Sequence, residues 1–293
     1  MRYRPLGHAG SAVSAITLVL DSAVAAKGAD AARALIFAAL EQGINSFHID
    51  SLDRTLIRTT GEALSHVERD LLYVTLTIGP LPNGRRDFSV EGVDAVLSAV
   101  TKVSGLGYVD TIILDDPDSA ELPAAAMKTI RQDERIRSLG VRGQSEVMDI
   151  YIGSSLFDVL HTPCHILLDA KQRSRLREAR QQNMTIFGTD YFPPELFAVA
   201  KPEPGPAQRG LFGMLKKASA PPPAPSPYEF LKHIPGWEAE DLCLAHALLD
   251  LSLGGVLVKP TSAEHLERLA TACERDMPVS LPAQLEMARV RAA

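Results

Sequence analysis

Phe47-His48-Ile49-Asp50-Ser51-Leu52-Asp53 follows an amphipathic run over residues 31–42 that closes at Gly43. It leads through Leu64 into an apolar run over 71–78. Helix, glycine, strand and charged loop make up one β/α unit. In such units chemistry sits where the strand ends and the loop begins. Here that point carries His48, Asp50 and Asp53.

The same rhythm continues in both directions. Upstream, Leu6-Gly7-His8-Ala9-Gly10-Ser11 reads as the turn of a short hairpin. Strands are expected at 15–20, 45–50, 72–78, 111–114, 137–141, 157–162, 184–189 and 255–258. Helices are expected at 30–41, 57–66, 89–104, 122–133, 146–153, 170–182, 240–251 and 262–274. Ser262 is the N-cap of the last helix, with Glu264 in its first turn, and Asp30 and Asp118 are also expected caps. Eight strands, each followed by a helix, are the arithmetic of a (β/α)8 TIM barrel, here one domain over 1–293 with an N-terminal β-hairpin. The strands are apolar and rich in Val and Ile, as strands buried on both faces are. A doubly wound open sheet competes, but no GxGxxG follows the first strand.

One segment breaks the rhythm. Residues 201–227 carry Pro202, Pro204, Pro206, Pro221, Pro222, Pro223, Pro225 and Pro227. This is a Pro-rich loop inserted after strand 7, expected to be mobile in part and to overhang the barrel mouth. Its apolar island at 210–215 suits docking as a lid or partner arm, and a plain surface insertion is the simpler reading. Trp237, the only tryptophan, is expected to anchor that loop by packing.

Composition narrows the function classes. Hydrophobic residues make up 46% and charged residues 23%, as in a globular protein. The net charge of −6 argues against a nucleic-acid partner. No apolar run reaches the roughly 20 residues a membrane span needs, and the N-terminus has no signal-peptide core. Cys164, Cys243 and Cys273 lie far apart, which fits a reducing, cytoplasmic setting.

Several stretches resemble the aldo-keto reductases. They are Tyr3-Arg4-Pro5-Leu6-Gly7 with Val13-Ser14, Gln42-Gly43-Ile44-Asn45-Ser46-Phe47, Gly61-Glu62-Ala63-Leu64 and Gly107-Tyr108-Val109-Asp110-Thr111. Ile136-Arg137-Ser138-Leu139-Gly140-Val141, Phe157-Asp158-Val159, Leu167-Leu168-Asp169 and Ser262-Ala263-Glu264-His265-Leu266-Glu267 extend the resemblance over the whole chain. It implies the same barrel, with the hairpin plugging its bottom. It also implies an Asp-Tyr-Lys-His tetrad working with NADP(H), and here the chain departs. The four positions hold His48, Asp53, Thr77 and Asp115. The pair that would hold the nicotinamide amide is Arg142-Gly143, and the family's Gln after the sixth strand is His161. The stacking ring falls near Gly188 and the adenine contact at Leu269. Lys259, Thr261 and Ser262 are the only cofactor-binding element left, a phosphate site at a helix N-terminus.

Carbonyl reduction needs a proton donor beside the carbonyl oxygen. An ionised Asp53 beside Thr77 does not donate as a Tyr near a Lys does, and Asp115 would destabilise a developing oxyanion. No bound cofactor is therefore expected, and NADPH binding is expected to be weak, with Asp53, Asp115 and Asp190 repelling its phosphates. By strand ends the mouth gathers Asp21, His48, Asp50, Asp53, Asp115, Asp116, His161, His165 and Asp190. Such a ring suits a divalent metal that activates water, but no HxH, HExxH or HxxE spacing anchors one, and no metal ligands are assigned. His48 and Asp115 invert the family's Asp and His, so a pairing across the mouth is conceivable. Cys164 beside His165 is a remote candidate nucleophile.

Three readings remain. The first is a degenerate reductase-like barrel that binds a small molecule or a protein partner through its mouth and Pro-rich loop. The second is an NADP(H)-dependent oxidoreductase with a non-standard proton donor. The third is a metal-assisted hydrolase or lyase.

Overall fold

The computed structural model describes residues 1–6, 11–79, 86–118, 124–197 and 226–292. The expected turns at 7–10 and 80–84, the start of the helix at 122, the island at 210–215 and the Pro-rich loop up to 225 lie outside them.

β1 (Tyr3–Leu6) and β2 (Ser11–Ser14) pair antiparallel, with Tyr3 opposite Ser14. Then come β3 (Ile16–Leu20), β4 (Ser46–Ile49), β5 (Tyr73–Ile78), β6 (Val109–Asp115), β7 (Ile136–Arg142), β8 (Val159–Pro163), β9 (Thr185–Thr189) and β10 (Leu253–Val258). These eight are parallel and form a closed barrel, with β10 pairing back onto β3. The expected closed (β/α)8 architecture with its hairpin is therefore the observed one. The Arg4 guanidinium ties the hairpin to the barrel bottom through the carbonyls of Leu248, Asp250 and Leu253, the last two at 2.9 and 2.8 Å.

The helices follow from their buried faces and caps. α2 (Ala29–Glu41) buries Ala32, Leu35, Ile36 and Ala39, spaced three and four apart so that one stripe faces the sheet. α4 (Val90–Ser104) starts on the Ser89 hydroxyl, which accepts the Gly92 N–H, and ends at Gly105 with φ 72°, a left-handed cap that glycine takes without a Cβ clash. α7 (Ala170–Gln181) opens with a full capping box between Asp169 and Gln172. α9 (Ala263–Glu274) is capped by Ser262, as expected.

Some expectations shift. Asp30 is not a cap: Gly28 holds the N-cap position of α2, and Asp30 lies in the first turn. The helix expected at 57–66 begins earlier, as α3 (Arg54–Leu64), because Asp53 caps it. α8 (Ala239–Ala247) stops four residues short of the expected 251. α1 (Ser22–Ala26), capped by Asp21, and α10 (Leu281–Ala292) are additional helices.

Alternation along the strands divides the core. Ile16, Leu18, Leu20, Phe47, Ile49, Val74, Leu76, Ile112 and Leu114 face the helices in one large cluster. Val13, Val19, Tyr73, Ile113, Val159, Phe187 and Leu257 fill the barrel itself. Barrel interiors are usually built from branched aliphatic layers. This one carries a hydroxyl layer as well. Thr17 and Ser46 share a hydrogen bond of 2.7 Å, and Thr111 bonds both Tyr73 and Ser138 at 2.6 Å. Above that layer, towards the strand C-termini, charge begins.

Candidate functional site

Register places the polar cluster. Asp115 pairs laterally with Arg142, and Arg142 with His161, so the three side chains stand in a row across β6, β7 and β8. Arg142 Nε donates to Asp115 Oδ1 at 2.6 Å. Its Nη1 lies 2.8 Å from Asp50 Oδ1, an ion pair whose angle falls short of a directed hydrogen bond. Arg142 thus bridges the carboxylates that follow β4 and close β6. Burial alone lowers its pKa, but the two carboxylates outweigh that and raise it. Burial likewise pushes the Asp50 carboxyl up. His48, Arg142 and Thr77 reverse this and hold it well below the ordinary carboxylate range.

Below this bridge lie two imidazoles. His48 Nε2 is 2.9 Å from Thr77 Oγ1 and 3.6 Å from Asp50 Oδ1. His161 stands 5.0 Å from His48, ring to ring, and 5.5 Å from Phe187. Both are buried, and each has an Nδ1 without a hydrogen-bond partner. Burial lowers both pKa values. For His161 the neighbouring His48 and Arg142 add to it, and the group lies well below its usual value. At neutral pH both rings are uncharged.

A cavity of about 540 Å³ opens over this floor. His161, Arg142 and Leu257 contribute to its base, Asp116 and Asp190 to its sides, and Tyr191 and Phe192 give it an aromatic wall. Of the nine expected mouth residues, Asp50, Asp115, Asp116, His161 and Asp190 line it. The other four do not. Asp21 caps α1 and lies 3.8 Å from Lys259, and Asp53 caps α3 through the Leu56 N–H at 2.8 Å. His48 lies beneath the floor, and His165 accepts the Leu167 N–H.

Of the four residues expected at tetrad positions, the structure brings His48 and Thr77 together and sets Asp115 against Arg142. It gives Asp53 a capping role. The conceivable His48–Asp115 pairing is not made, because His48 turns to Thr77 and Asp50 while Arg142 takes Asp115. Nor do Cys164 and His165 form a nucleophilic pair. Cys164 is buried, burial pushes its thiol up, and a Cβ on Gly188 would come within 2.2 Å of its Sγ. Gly188 therefore faces away from the cavity, whose aromatic lining is Tyr191 and Phe192. Among the described residues no three His, Cys, Asp or Glu gather as metal ligands.

The expected phosphate site is partly satisfied from within. Thr261 N–H donates to His265 Nδ1 at 3.1 Å, and Ser262 Oγ accepts the His265 N–H at 3.1 Å. Lys27 bonds the Thr261 carbonyl at 2.7 Å, leaving Lys259 exposed at the rim. Leu269 is fully buried. Sequence reasoning missed a hub next to this site: Glu240 accepts from Tyr191 Oη and from Arg268, both at 2.8 Å, and contacts His265 Nε2 at 2.9 Å. No motif spacing announces that hub, because its members come from α8, α9 and the segment after β9.

No family model matches the sequence, and no curated protein matches it. Solved structures do. A holo aldo-keto reductase from Bacillus halodurans superposes with a TM-score of 0.76 at 16% identity, over 98% of this chain and 96% of that one. An aldo/keto reductase from Klebsiella pneumoniae, in complex with NADP and acetate, gives 0.72 at 16% identity, over 97% and 94%. The fold is that of the aldo-keto reductases. Among the described residues, no helix is long and apolar enough to cross a membrane.

Proposed function

We propose that this chain is a small-molecule binding protein on an aldo-keto reductase barrel, and that it does not reduce carbonyls with NADP(H). The observation that carries this reading is the Arg142 bridge. Asp50 and Asp115, both within reach of Arg142, put fixed negative charge beside the tetrad positions where a reductase collects proton donors. A developing alkoxide there meets two carboxylates against a single guanidinium that is already paired with both. The nicotinamide side supports the same reading. Arg142 is committed to its two carboxylates, and Leu269 is sealed in the core and cannot reach an adenine. Each missing hydrogen bond to a buried polar group is worth about 1 to 3 kcal/mol, so two or three such losses weaken binding about a thousandfold.

One observation favours an oxidoreductase with another proton donor. His161 is a neutral imidazole at the cavity floor, and Tyr191 and Phe192 supply aromatic surface. Calorimetric titration with NADPH separates the two, together with an NADPH-oxidation assay on 4-nitrobenzaldehyde. The binding reading expects a Kd of about 1 mM or weaker and no turnover. Micromolar binding with turnover would replace it by the reductase reading. A partner protein on the Pro-rich loop and a reducing, cytoplasmic setting belong to the same proposal.

A further inference from the structure

α3 and α4 pack unevenly along their length. Late in both helices the backbones touch: a Cβ on Gly61 would lie 1.9 Å from the Ser104 carbonyl oxygen, so only glycine fits there. Between their earlier turns lies a groove of about 410 Å³, lined by Leu52, Ile57, Val96, Ala99 and Val103 among others. The groove is thus set by how the two backbones meet.

The barrel does not account for this apolar lining. α4 buries Val93, Leu97, Val100 and Ser104 as its core stripe. Val96, Ala99 and Val103 form a second stripe, also spaced three and four apart, about a quarter-turn round the helix. On it Val96 and Val103 are half-buried and Ala99 is exposed. A helix face turned to water ordinarily carries polar residues, so an apolar stripe left half-open along a groove marks a surface for a ligand.

Charge selects the ligand. Among the described lining residues the ionisable ones are Arg54 and Asp87. Asp87 Oδ1 accepts the Ser89 N–H at 3.1 Å and the Ser89 hydroxyl at 2.6 Å. Arg54, the first residue of α3, is exposed at the end nearest the barrel mouth and has no ion pair or hydrogen bond of its side chain. The uncommitted charge on the groove is therefore positive.

We propose that this groove binds a medium-chain carboxylate, with the alkyl tail between α3 and α4 and the carboxylate on Arg54. A volume of about 410 Å³ is in the range of small-molecule sites. Burial of the tail drives binding, and the guanidinium, which matches a carboxylate in shape as well as charge, sets the sign of the head. The groove shares no lining residue with the 540 Å³ cavity, so the inference stands apart from the reading above.

Three matched probes test this by calorimetry on the full chain: octanoate, 1-octanol and octylammonium. Octanoate is expected to bind saturably and about three- to fivefold more tightly than 1-octanol, the range for an exposed charge pair, with the gap closing as salt rises. Octylammonium is expected to bind more weakly than the alcohol. Arg54→Gln is expected to bring octanoate down to the alcohol and to leave the alcohol unchanged. Ala99→Phe fills the groove from an exposed helix position and is expected to weaken octanoate and octanol at least tenfold. If Ala99→Phe does not fold, Arg54→Gln carries the comparison. Absence of saturable octanoate binding overturns the proposal, as when residues 80–85 or a second copy of the chain take the groove instead. So does octylammonium binding as tightly as octanoate, or octanoate affinity that neither variant changes.

Discussion

Arg142 Nε donates to Asp115 Oδ1 across 2.6 Å, between residues that are direct register partners on β6 and β7. The same guanidinium reaches Asp50. Arg142→Met is therefore expected to strand two partly buried carboxylates, costing roughly 2 to 4 kcal/mol at pH 7. Without the cation, one of the influences that hold Asp50 low is lost, so its pKa moves up towards the ordinary carboxylate range, with His48 and Thr77 still holding it down. The deficit against the parent should then shrink as the pH falls towards 4.5. Urea unfolding at the two pH values checks this. A deficit that stays constant or grows at low pH would show that the bridge is not electrostatic.

The two imidazoles give the fold a pH dependence of known sign. His48 and His161 have lowered folded pKa values, so the unfolded chain binds protons that the folded one does not. The stability they contribute is complete above about pH 6.5 and is lost as the pH falls below it. Each group adds at most about 1.4 kcal/mol per pH unit to that slope. His161→Gln should flatten the fall in unfolding free energy between pH 6.5 and 5. An unchanged slope would mean that His161 is not held neutral.

Gly188 and Cys164 predict an epistatic pair. A Cβ at 188 would sit 2.2 Å from Cys164 Sγ and 2.9 Å from its Cβ, both in the packed layer between barrel and helices. Gly188→Ala should cost about 2 kcal/mol or more through overpacking. Adding Cys164→Ala should recover part of that loss. Additive effects of the two changes in thermal unfolding would contradict the contact.

The sequence resemblance sets Asp53 against the family's tyrosine, and Asp53→Tyr supplies that residue type. It also removes the cap on Leu56 N–H, a loss of about 1 kcal/mol. No NADPH oxidation with 4-nitrobenzaldehyde is expected to return, because Asp50 and Asp115 remain. Measurable turnover in this variant would show that a single residue type separates the chain from reductase activity.

The barrel was legible because it is written locally. Apolar strands over β3, β4 and β5, a stripe at Leu35, Ile36 and Ala39, and caps at Ser89 and Ser262 each lie within a dozen residues. The site was legible only in part. His48, Asp50 and Asp115 stood out as polar residues at strand ends, but Arg142 read as a lost amide contact. Its role depends on partners 27 and 92 residues away, fixed by barrel register rather than by spacing. The Glu240 hub was hidden for the same reason. α1 is five residues long and α10 has no clean apolar stripe, so neither left a periodic signal.

The grip of Arg4 on the carbonyls of Leu248, Asp250 and Leu253 also bears on how the chain folds as it is made. The hairpin is translated 244 residues before the first of its acceptors, counting from Arg4 to Leu248. At about 5 to 20 residues per second, β1 and β2 wait on the order of tens of seconds for them. Through that interval the edge of β3 that β10 pairs in the finished barrel has no closing neighbour. Hairpin docking and barrel closure therefore come late and together, and the nascent chain carries an open sheet edge until then.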